Sequence, residues 1–399
     1  MNILHYIPTY APAWNWGGPV VSTTSLCEEL ARAGHRVRVL TTDAGLRGEI
    51  PACEVNRNGV SVRYCRRVTG AGIHSPEMEQ QVAAEIASFD LMHVTGVWQR
   101  TSPAACRAAT KAGVPYVVSP RGALGRYSWG QKTLKKLGYY LLRERSNLRN
   151  AAGFHFTSSM EAAECRRFAG ERPACVLPNS VAASVQPADR AGGPEWKRRH
   201  GIPGDCPILL YAGRLHHKKG LDLLPVALAG IRDLNWQMIF VGDDEDRSRP
   251  ALERDFRRAG LVERVRFLPA VPKEQLPVIY SMASCFLLPS RHENFGNVVI
   301  EALSCGCPCL LSDQVGAAKD VQASGGVLLR ARCATLWSEA LRDVLSGRWQ
   351  HPDRDALAGW TIQEFDASRL AHKMVDFYSE LIHAYSRVDV DRETRLEKP

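Results

Sequence analysis

The feature that most constrains the fold of this 399-residue chain is a regular alternation of short apolar runs with longer helical patterns. Such alternation is typical of βαβ units, in which helices connect the strands of a parallel sheet. The predicted strands of the first half are "NILHYI" (2–7), "HRVRVLTTD" (35–43), "DLMHVTG" (90–96), "PYVVSP" (115–120) and "GFHFTS" (153–158). The first half is therefore predicted to form an α/β domain.

The alternation lapses near residues 178–206, where Pro, Gly and Ala are frequent, and this composition indicates a linker. Strand-like runs then resume as "PILLYAG" (207–213), "WQMIFVG" (236–242), "RVRFLPA" (264–270), "CFLLPS" (285–290) and "PCLLSD" (308–313). We therefore predict two Rossmann-like domains whose parallel sheets face a central cleft. Ligands are expected at the carboxyl ends of the strands.

The length of the chain also favours two domains over one. The pattern places the first domain at residues 1–182, the linker at 183–206 and the second domain at 207–365. A last helical run at 366–388 follows the second domain.

Composition excludes several classes of protein. Hydrophobic residues make up 45% and charged residues 23%, and no run approaches the ~18 apolar residues of a transmembrane helix. The N-terminus lacks a basic region and a cleavage site, so we expect a cytoplasmic protein without a signal peptide. The cysteines lack CxxC and Cys-His spacings, which predicts reduced thiols and no metal site.

The formal net charge of +9 is compatible with nucleic acid, an anionic membrane or phosphorylated substrates as partners. The densest basic segment is residues 121–149. Within residues 129–145, apolar and basic side chains recur at helical spacing: Leu134, Leu137 and Leu141 beside Lys132, Lys135, Lys136 and Arg143. Such a helix either lies on an anionic membrane or packs its leucines into the core, and both interpretations stay open.

A glycine and two cations follow the first strand of the second domain, in "YAGRLHHKKGLDLL" (211–224). Gly213 lets the backbone turn close to a ligand, and the charges of Arg214 and Lys219 suit a diphosphate. A solvated basic loop is the alternative interpretation.

Two carboxylates flank a turn in "HENFGNVVIEALSCGCPCLL" (292–311). Glu293 and Glu301 are separated by seven residues that include a Phe-Gly-Asn step at a predicted helix start. Free N–H groups at a helix N-terminus bind phosphate, and a carboxylate that leaves water needs hydrogen-bond donors. A nucleotide-sugar would supply sugar hydroxyls to Glu293 and ribose hydroxyls to Glu301. Two surface glutamates beside a helix start are the alternative.

Taken together, "GRLHHKKG" and "SRHENFGNVVIEALSCGCP" resemble family 4 of the retaining glycosyltransferases, which have the GT-B fold. The resemblance covers nearly the whole chain, because "GGP" (17–19) is similar to the family's glycine loop and "PNSV" (178–181) to its "PNGV". A subset of members that make bacterial surface polysaccharides also reads "SPRG", and the chain resembles this type.

The resemblance implies roles for individual residues. Arg214 and Lys219 would bind the diphosphate, and Glu293 would contact the transferred sugar. The implied donor site is completed by Gly17, Gly18, Gly213, Asn294, Phe295, Gly296, Asn297, Val298 and Glu301. Neither a divalent metal nor another cofactor is implied, and the last helix would cross back onto the first domain.

The first domain departs from the family pattern in two places. In "SPRGAL" (119–124), Arg121 stands where many relatives have a histidine. Arginine stays charged and is no general base, so we expect it to neutralise the leaving phosphate or hold an acceptor hydroxyl. In "HVTGVW" (93–98), Thr95 replaces a second histidine. His93, Thr95 and Trp98 are acceptor-site candidates, with a structural role for His93 as the alternative.

The stretch "VGDDED" (241–246) contains Asp244-Glu245-Asp246, which matches the DxD motif of metal-dependent GT-A transferases. Here it follows an internal strand of the second domain, where the family has a "GDGP" turn. A metal role for this motif is an alternative to the basic diphosphate site.

The resemblance thus implies transfer of a hexose-type unit from a UDP- or GDP-linked donor to a glycan or lipid-linked acceptor. The product would be exopolysaccharide, capsule or lipopolysaccharide, made at the inner face of the cytoplasmic membrane. A small soluble acceptor such as a sugar phosphate is the alternative. A nucleic-acid-binding protein is disfavoured because no basic platform carries interleaved aromatic residues. An NAD enzyme is disfavoured because neither first βα turn reads GxGxxG.

Overall fold

The computed structural model describes residues 1–46, 54–68, 73–131, 133–181 and 192–396, with side chains up to residue 386. It divides into two compact units, the first comprising Met1–Ser180 with Ala367–Pro399 and the second Val181–Asp366. The predicted linker is described only from residue 192 onward, and Lys132 lies outside the described residues.

The first unit contains an eight-stranded sheet in the order β3-β4-β2-β1-β5-β6-β7-β8. Its strands are β1 Asn2–Tyr6, β2 Arg36–Thr42, β3 Val55–Arg57, β4 Val60–Cys65, β5 Leu91–Thr95, β6 Tyr116–Ser119, β7 Gly153–Phe156 and β8 Ala174–Val176. All neighbours pair in parallel except β3 and β4. The central strands β5, β6 and β7 are buried along their whole length, as expected for parallel strands covered on both faces.

The second unit contains a six-stranded parallel sheet in the order β11-β10-β9-β12-β13-β14. Its strands are β9 Ile208–Ala212, β10 Gln237–Val241, β11 Val265–Leu268, β12 Cys285–Leu288, β13 Cys309–Ser312 and β14 Val327–Arg330. Because β9 lies between β10 and β12, the loops that follow these three strands meet at one edge of the sheet. The prediction of two Rossmann-like units with parallel sheets is confirmed.

Most of the α-helices connect successive strands within a unit, and the last three follow the last strand. They are α1 Gly18–Arg32, α2 Pro76–Glu85, α3 Ser102–Lys111, α4 Arg126–Gly130, α5 Thr133–Tyr139, α6 Arg145–Asn150, α7 Ser159–Ala169, α8 Gly192–Arg199, α9 Leu224–Ala229, α10 Arg249–Arg258, α11 Leu276–Met282, α12 Asn297–Ser304, α13 Ala334–Leu345, α14 Arg354–Glu364 and α15 Ala367–Leu396. The last helix, α15, belongs to the first unit, where it packs against α1 and buries Met374 and Tyr378.

The basic segment 129–145 is not the single regular helix that its spacing predicts. A break at Gln131 separates α4 from α5, and a π-helical turn at Tyr140–Glu144 precedes α6. The leucine side chains of this segment are exposed, with Leu134 at 86% and Leu142 at 82%. The interpretation in which its leucines pack into the core is therefore wrong.

Within the described residues, no helix combines the length and the hydropathy that crossing a bilayer requires. The cysteines of that part of the chain are all free thiols, and of these Cys333 alone is exposed.

Candidate active site

The loop after β9 carries the two predicted diphosphate-binding cations. Arg214 follows Gly213, which has a φ of +145°, and Lys219 ends a short 3-10 turn at His217–Lys219. The loop closes at Gly220, whose φ is +62° and where a Cβ atom would lie 2.2 Å from the carbonyl oxygen of Pro289. Glycine at both ends therefore lets this loop turn back toward the loop after β12.

Lys219 and Glu293 are joined by an ion pair, although 74 residues separate them in sequence. Both side chains are 22% exposed. The backbone of Glu293 is held on both sides, since its N–H donates to Gln314 O at 3.0 Å and its carbonyl accepts from the N–H of Gly316 at 2.9 Å. The structure thus brings one predicted diphosphate cation together with the carboxylate predicted to contact the sugar.

The Phe-Gly-Asn turn leads into α12 as predicted from its sequence. Gly296 is the N-cap residue with a φ of +97°, and a Cβ atom there would lie 3.2 Å from Val315 and 3.3 Å from Cγ of Glu293. Phe295 is buried and anchors the turn in the core. Asn297 and Val298 form the first turn of α12, where backbone N–H groups lack partners within the helix and favour an anion.

Glu301 lies one turn into α12 and is partly buried. Its Oε2 is 3.5 Å from the hydroxyl oxygen of Tyr280, at the limit of a hydrogen bond. Burial raises the pKa of the Glu301 carboxyl, and the charge of Lys273 opposes this effect. The carboxylate therefore has unused acceptor capacity, which hydroxyl groups of a ligand would satisfy.

The three acidic residues of the DxD-like motif point to different partners. Asp244 accepts from the backbone N–H of Ser248 at 2.8 Å, next to the start of α10. Oε1 of Glu245 lies 2.5 Å from Nη1 of Arg214, and Oδ2 of Asp246 lies 2.8 Å from Nδ1 of His217. Since the carboxylates do not converge on one point, their arrangement does not resemble a shared metal site.

Within the described ranges, His216, His217 and Asp246 lie close enough together to hold a metal ion. All three side chains also make hydrogen bonds inside the protein. Nδ1 of His216 accepts from the backbone N–H of Lys218 at 3.1 Å. The backbone N–H and Nδ1 of His217 both lie 2.8 Å from Oδ2 of Asp246. Hydrogen bonds between the loops after β9 and β10 thus hold this cluster together.

The predicted residues of the first unit lie near the carboxyl ends of its strands. Gly17, with a φ of +86°, caps α1, which begins at Gly18 after the first strand. Arg121 follows β6 in the left-handed region at a φ of +54°, and its Nη1 donates to Oδ1 of Asn179 at 2.8 Å. Burial lowers the pKa of Arg121, and the nearby Glu161 opposes this shift. Arg121 thus sits where a non-glycine residue is strained, which is frequent at functional sites.

The acceptor-site candidates do not form an accessible group. His93 has no exposed surface, and its Nδ1 lies 2.5 Å from the hydroxyl oxygen of Tyr378 on α15. Thr95 is likewise buried. Trp98 is partly exposed, with its indole N–H donating to Ala123 O at 2.8 Å. The structural interpretation of His93 is therefore the one that fits, because a buried ring cannot contact an acceptor in this conformation.

Two further histidines flank His93, and the sequence analysis did not identify them. The ring of His5 on β1 lies 4.9 Å from that of His93, and the ring of His155 on β7 lies 5.3 Å from it. Burial lowers the pKa of His5 and of His155 to about 3 and that of His93 well below its usual value, with the charge of Arg121 adding to each shift. The available signal was a histidine inside each of three apolar strands: "LHY", "MHV" and "FHF".

Two family models match the chain, one in each unit. Residues 17–180 match "Glycosyl transferase 4-like domain", and residues 193–358 match "Glycosyl transferases group 1". Together the two models cover most of the chain.

Among curated proteins, the 2-deoxystreptamine glucosyltransferase of Streptomyces kanamyceticus is 29% identical over 208 residues, 50% of this chain and 53% of that protein. The chain spans about half the length of the first curated relatives it matches.

Many solved structures resemble this chain over nearly its whole length, and two of them bind or act on sugars by name. Sucrose-phosphate synthase from Thermosynechococcus elongatus gives a TM-score of 0.74 at 22% identity, over 96% of this chain and 100% of that one. The crystal structure of Anabaena HepE in complex with UDP and glucose gives a TM-score of 0.73 at 17% identity. The match covers 95% of this chain and 100% of HepE. At these identities the likeness establishes the fold alone, and the predicted GT-B fold class is confirmed.

Proposed function

Because the chain belongs to the glycosyl transferases with the GT-B fold, we propose that it transfers a sugar from a nucleoside diphosphate sugar to an acceptor hydroxyl. The observation that carries this proposal is the ion pair between Lys219 and Glu293, next to the N-terminus of α12 with its N-cap residue Gly296. A cation, a carboxylate and a helix N-terminus at one sheet edge match the charges of a diphosphate and the hydroxyls of a sugar.

In the proposed reaction, Arg214, Lys219 and the first N–H groups of α12 stabilise the diphosphate as it leaves. The bond between the anomeric carbon and the diphosphate oxygen breaks, and the acceptor oxygen bonds to that carbon. The acceptor proton passes to the departing diphosphate, which acts as the base. Fixed charges that meet the developing negative charge are the main source of rate enhancement at such a site.

The remaining site residues orient the donor. Glu293 accepts a hydrogen bond from the transferred sugar, and Glu301 accepts from the ribose. Retention of anomeric configuration and independence of metal ions are part of the proposal. Arg121 holds the acceptor hydroxyl or the leaving phosphate from the first unit.

The donor base is tested by thermal unfolding with UDP, GDP, ADP or NAD, each in EDTA. We expect UDP or GDP to stabilise the protein, and HepE, a solved structure of the same fold, is complexed with UDP. Ligand at 100 times its dissociation constant adds ~2.7 kcal/mol to the free energy of unfolding. Stabilisation only in the presence of Mn²⁺ would contradict the metal-free site. No shift with any nucleoside diphosphate would contradict the donor site as a whole.

For the acceptor, we propose a growing glycan or lipid-linked sugar of bacterial surface polysaccharide, reached by a protein peripheral to the inner face of the cytoplasmic membrane. The basic segment 129–145 supports this choice, because Leu134 and Leu142 are exposed beside the exposed cations Lys135 and Arg143. An apolar face with cations beside it is what binds an anionic bilayer surface. Nucleic acid is not part of the proposal.

Flotation with lipid vesicles tests the membrane contact. We expect the protein to float with vesicles that contain anionic lipid. With neutral vesicles it should remain in the bottom fractions of the gradient. The double variant Leu134→Ser/Leu142→Ser should lose most of this flotation, since it removes the apolar contact. Val226→Ser is the matched control, because Val226 is a 63% exposed apolar residue of the second unit. A protein that never floats would contradict the membrane proposal.

A small soluble acceptor is the second candidate. One observation favours it: the relative from Streptomyces kanamyceticus is a 2-deoxystreptamine glucosyltransferase, and 2-deoxystreptamine is a small molecule. A chain that does not float and transfers sugar to a soluble sugar phosphate would support this candidate instead.

A further inference from the structure

The loops after β9 and β10 stay paired beyond the end of the sheet. The N–H of Gly213 donates to Val241 O at 2.9 Å, and the N–H of Leu215 donates to Asp243 O at 2.8 Å. The N–H of Glu245 then donates to Leu215 O at 3.0 Å. The backbone of Glu245 is thereby fixed to the residue that follows Arg214.

Close approach of these loops depends on glycine. A Cβ atom at Gly242 would lie 2.0 Å from the carbonyl oxygen of Gly213, so no other residue fits there without displacing the backbone. Tyr211 holds the β9 loop from the other side, since its hydroxyl donates to Arg214 O at 2.7 Å. The position of Glu245 relative to Arg214 is therefore set by backbone contacts and not by the ion pair alone.

The side chains meet at 2.5 Å, between Nη1 of Arg214 and Oε1 of Glu245. Arg214 is 56% and Glu245 40% exposed, so the pair is hydrated and weak enough for a ligand to displace. Lys219 is also paired with a carboxylate, that of Glu293, although this pair is less exposed. Both cations proposed to bind the diphosphate are therefore neutralised by carboxylates when the site holds no ligand.

We propose that Glu245 is a positioning residue that competes with the diphosphate for Arg214 and so limits how tightly the nucleoside diphosphate is held. This inference rests on the proposed function. A diphosphate that binds Arg214 must displace a carboxylate fixed beside it, and the carboxylate returns to Arg214 when the product leaves. Glu245 thus favours release of the nucleoside diphosphate after each transfer.

The test measures binding of UDP by calorimetry in EDTA to the full chain and to Glu245→Gln, which keeps the length of the side chain and removes its charge. We expect the dissociation constant to fall about two- to fivefold, since removing the competitor can return no more free energy than an exposed ion pair is worth, about 1 kcal/mol at most. Glu195→Gln is the matched control, because Glu195 also pairs with exposed arginines of the second unit, Arg198 and Arg199. It should leave UDP binding unchanged.

The same substitution in an Arg214→Ala background separates competition from simple repulsion. If Glu245 acts through Arg214, Glu245→Gln should no longer tighten UDP binding there. A gain that persists without Arg214, or an unchanged or weaker affinity in Glu245→Gln itself, would overturn the inference. If the unaltered protein binds UDP and Arg214→Ala weakens this binding, the proposed function survives such a result. Absence of binding by the unaltered protein to UDP, GDP and ADP alike would overturn both.

Discussion

Replacing Lys219 or Arg214 with alanine is expected to lower the rate of sugar transfer by about 100-fold or more, because each removes a fixed charge aimed at the developing diphosphate. For Lys219 the loss includes the pairing with Glu293, which would then carry an unbalanced charge beside the donor sugar. The measurement is the initial rate of nucleoside diphosphate release, with the donor whose base stabilises the protein against heat.

A matched control is Arg232→Ala. Arg232 lies between α9 and β10, in a connection that precedes a strand and so is at the opposite edge of the parallel sheet. It should keep the activity of the unaltered protein. Circular dichroism and thermal unfolding establish that each variant is folded before its rate is compared. Unchanged turnover in both Lys219→Ala and Arg214→Ala would contradict the assignment of the diphosphate site.

The first unit is expected to lose stability steeply as the pH falls below about 6.5. His5 and His155 have pKa values lowered to about 3, while an unfolded histidine titrates near 6.5. Between these values the unfolded chain binds protons that the folded chain does not, so acid favours unfolding. Each buried histidine lowers the free energy of unfolding by up to about 1.4 kcal/mol for every pH unit of acidification. The three histidines together lower it by up to about 4 kcal/mol per pH unit. The stabilisation is complete above pH 6.5 and is lost toward pH 3.

The measurement is urea unfolding at pH 7.5, 6.5 and 5.5, read by pulsed hydrogen exchange at one labelling pH in peptides from β1, β5 and β7. His5→Leu should reduce the dependence of the free energy of unfolding on pH by about one third. It removes one of the three histidines that take up a proton when the chain unfolds. Both ring nitrogens of His5 lack a hydrogen-bond partner among the described residues, so this change breaks no bond. The exposed His351 in the second unit supplies a control, His351→Leu. Equal stability of the first unit at pH 7.5 and 5.5 would contradict the prediction.

Most strands were predictable because they are continuous apolar runs buried on both faces. The strands that the sequence analysis missed lie at or near the sheet edges: β3, β4, β8 and β14. In β8 the two end residues are exposed and the middle one is half-buried, so it lacks an apolar signal. The break at Gln131 and the π-helical turn were missed because leucine spacing alone cannot distinguish one helix from several short ones.

The sequence by itself determined the fold class and the loops of the candidate site. Strand and helix periods are local properties, and Gly213, Gly220 and Gly296 mark turns that other residues adopt at a cost. The helix start after the Phe-Gly-Asn step was therefore predictable.

Only the tertiary structure decided which side chains meet. Arg214 pairs with Glu245 because β9 and β10 are neighbours, and Lys219 pairs with Glu293 because β9 also adjoins β12. Strand order likewise places His5 beside His93 and buries both rings. The physical reason is that residue type and local spacing set what each segment forms, while contacts between distant segments depend on how the strands are ordered in the sheet.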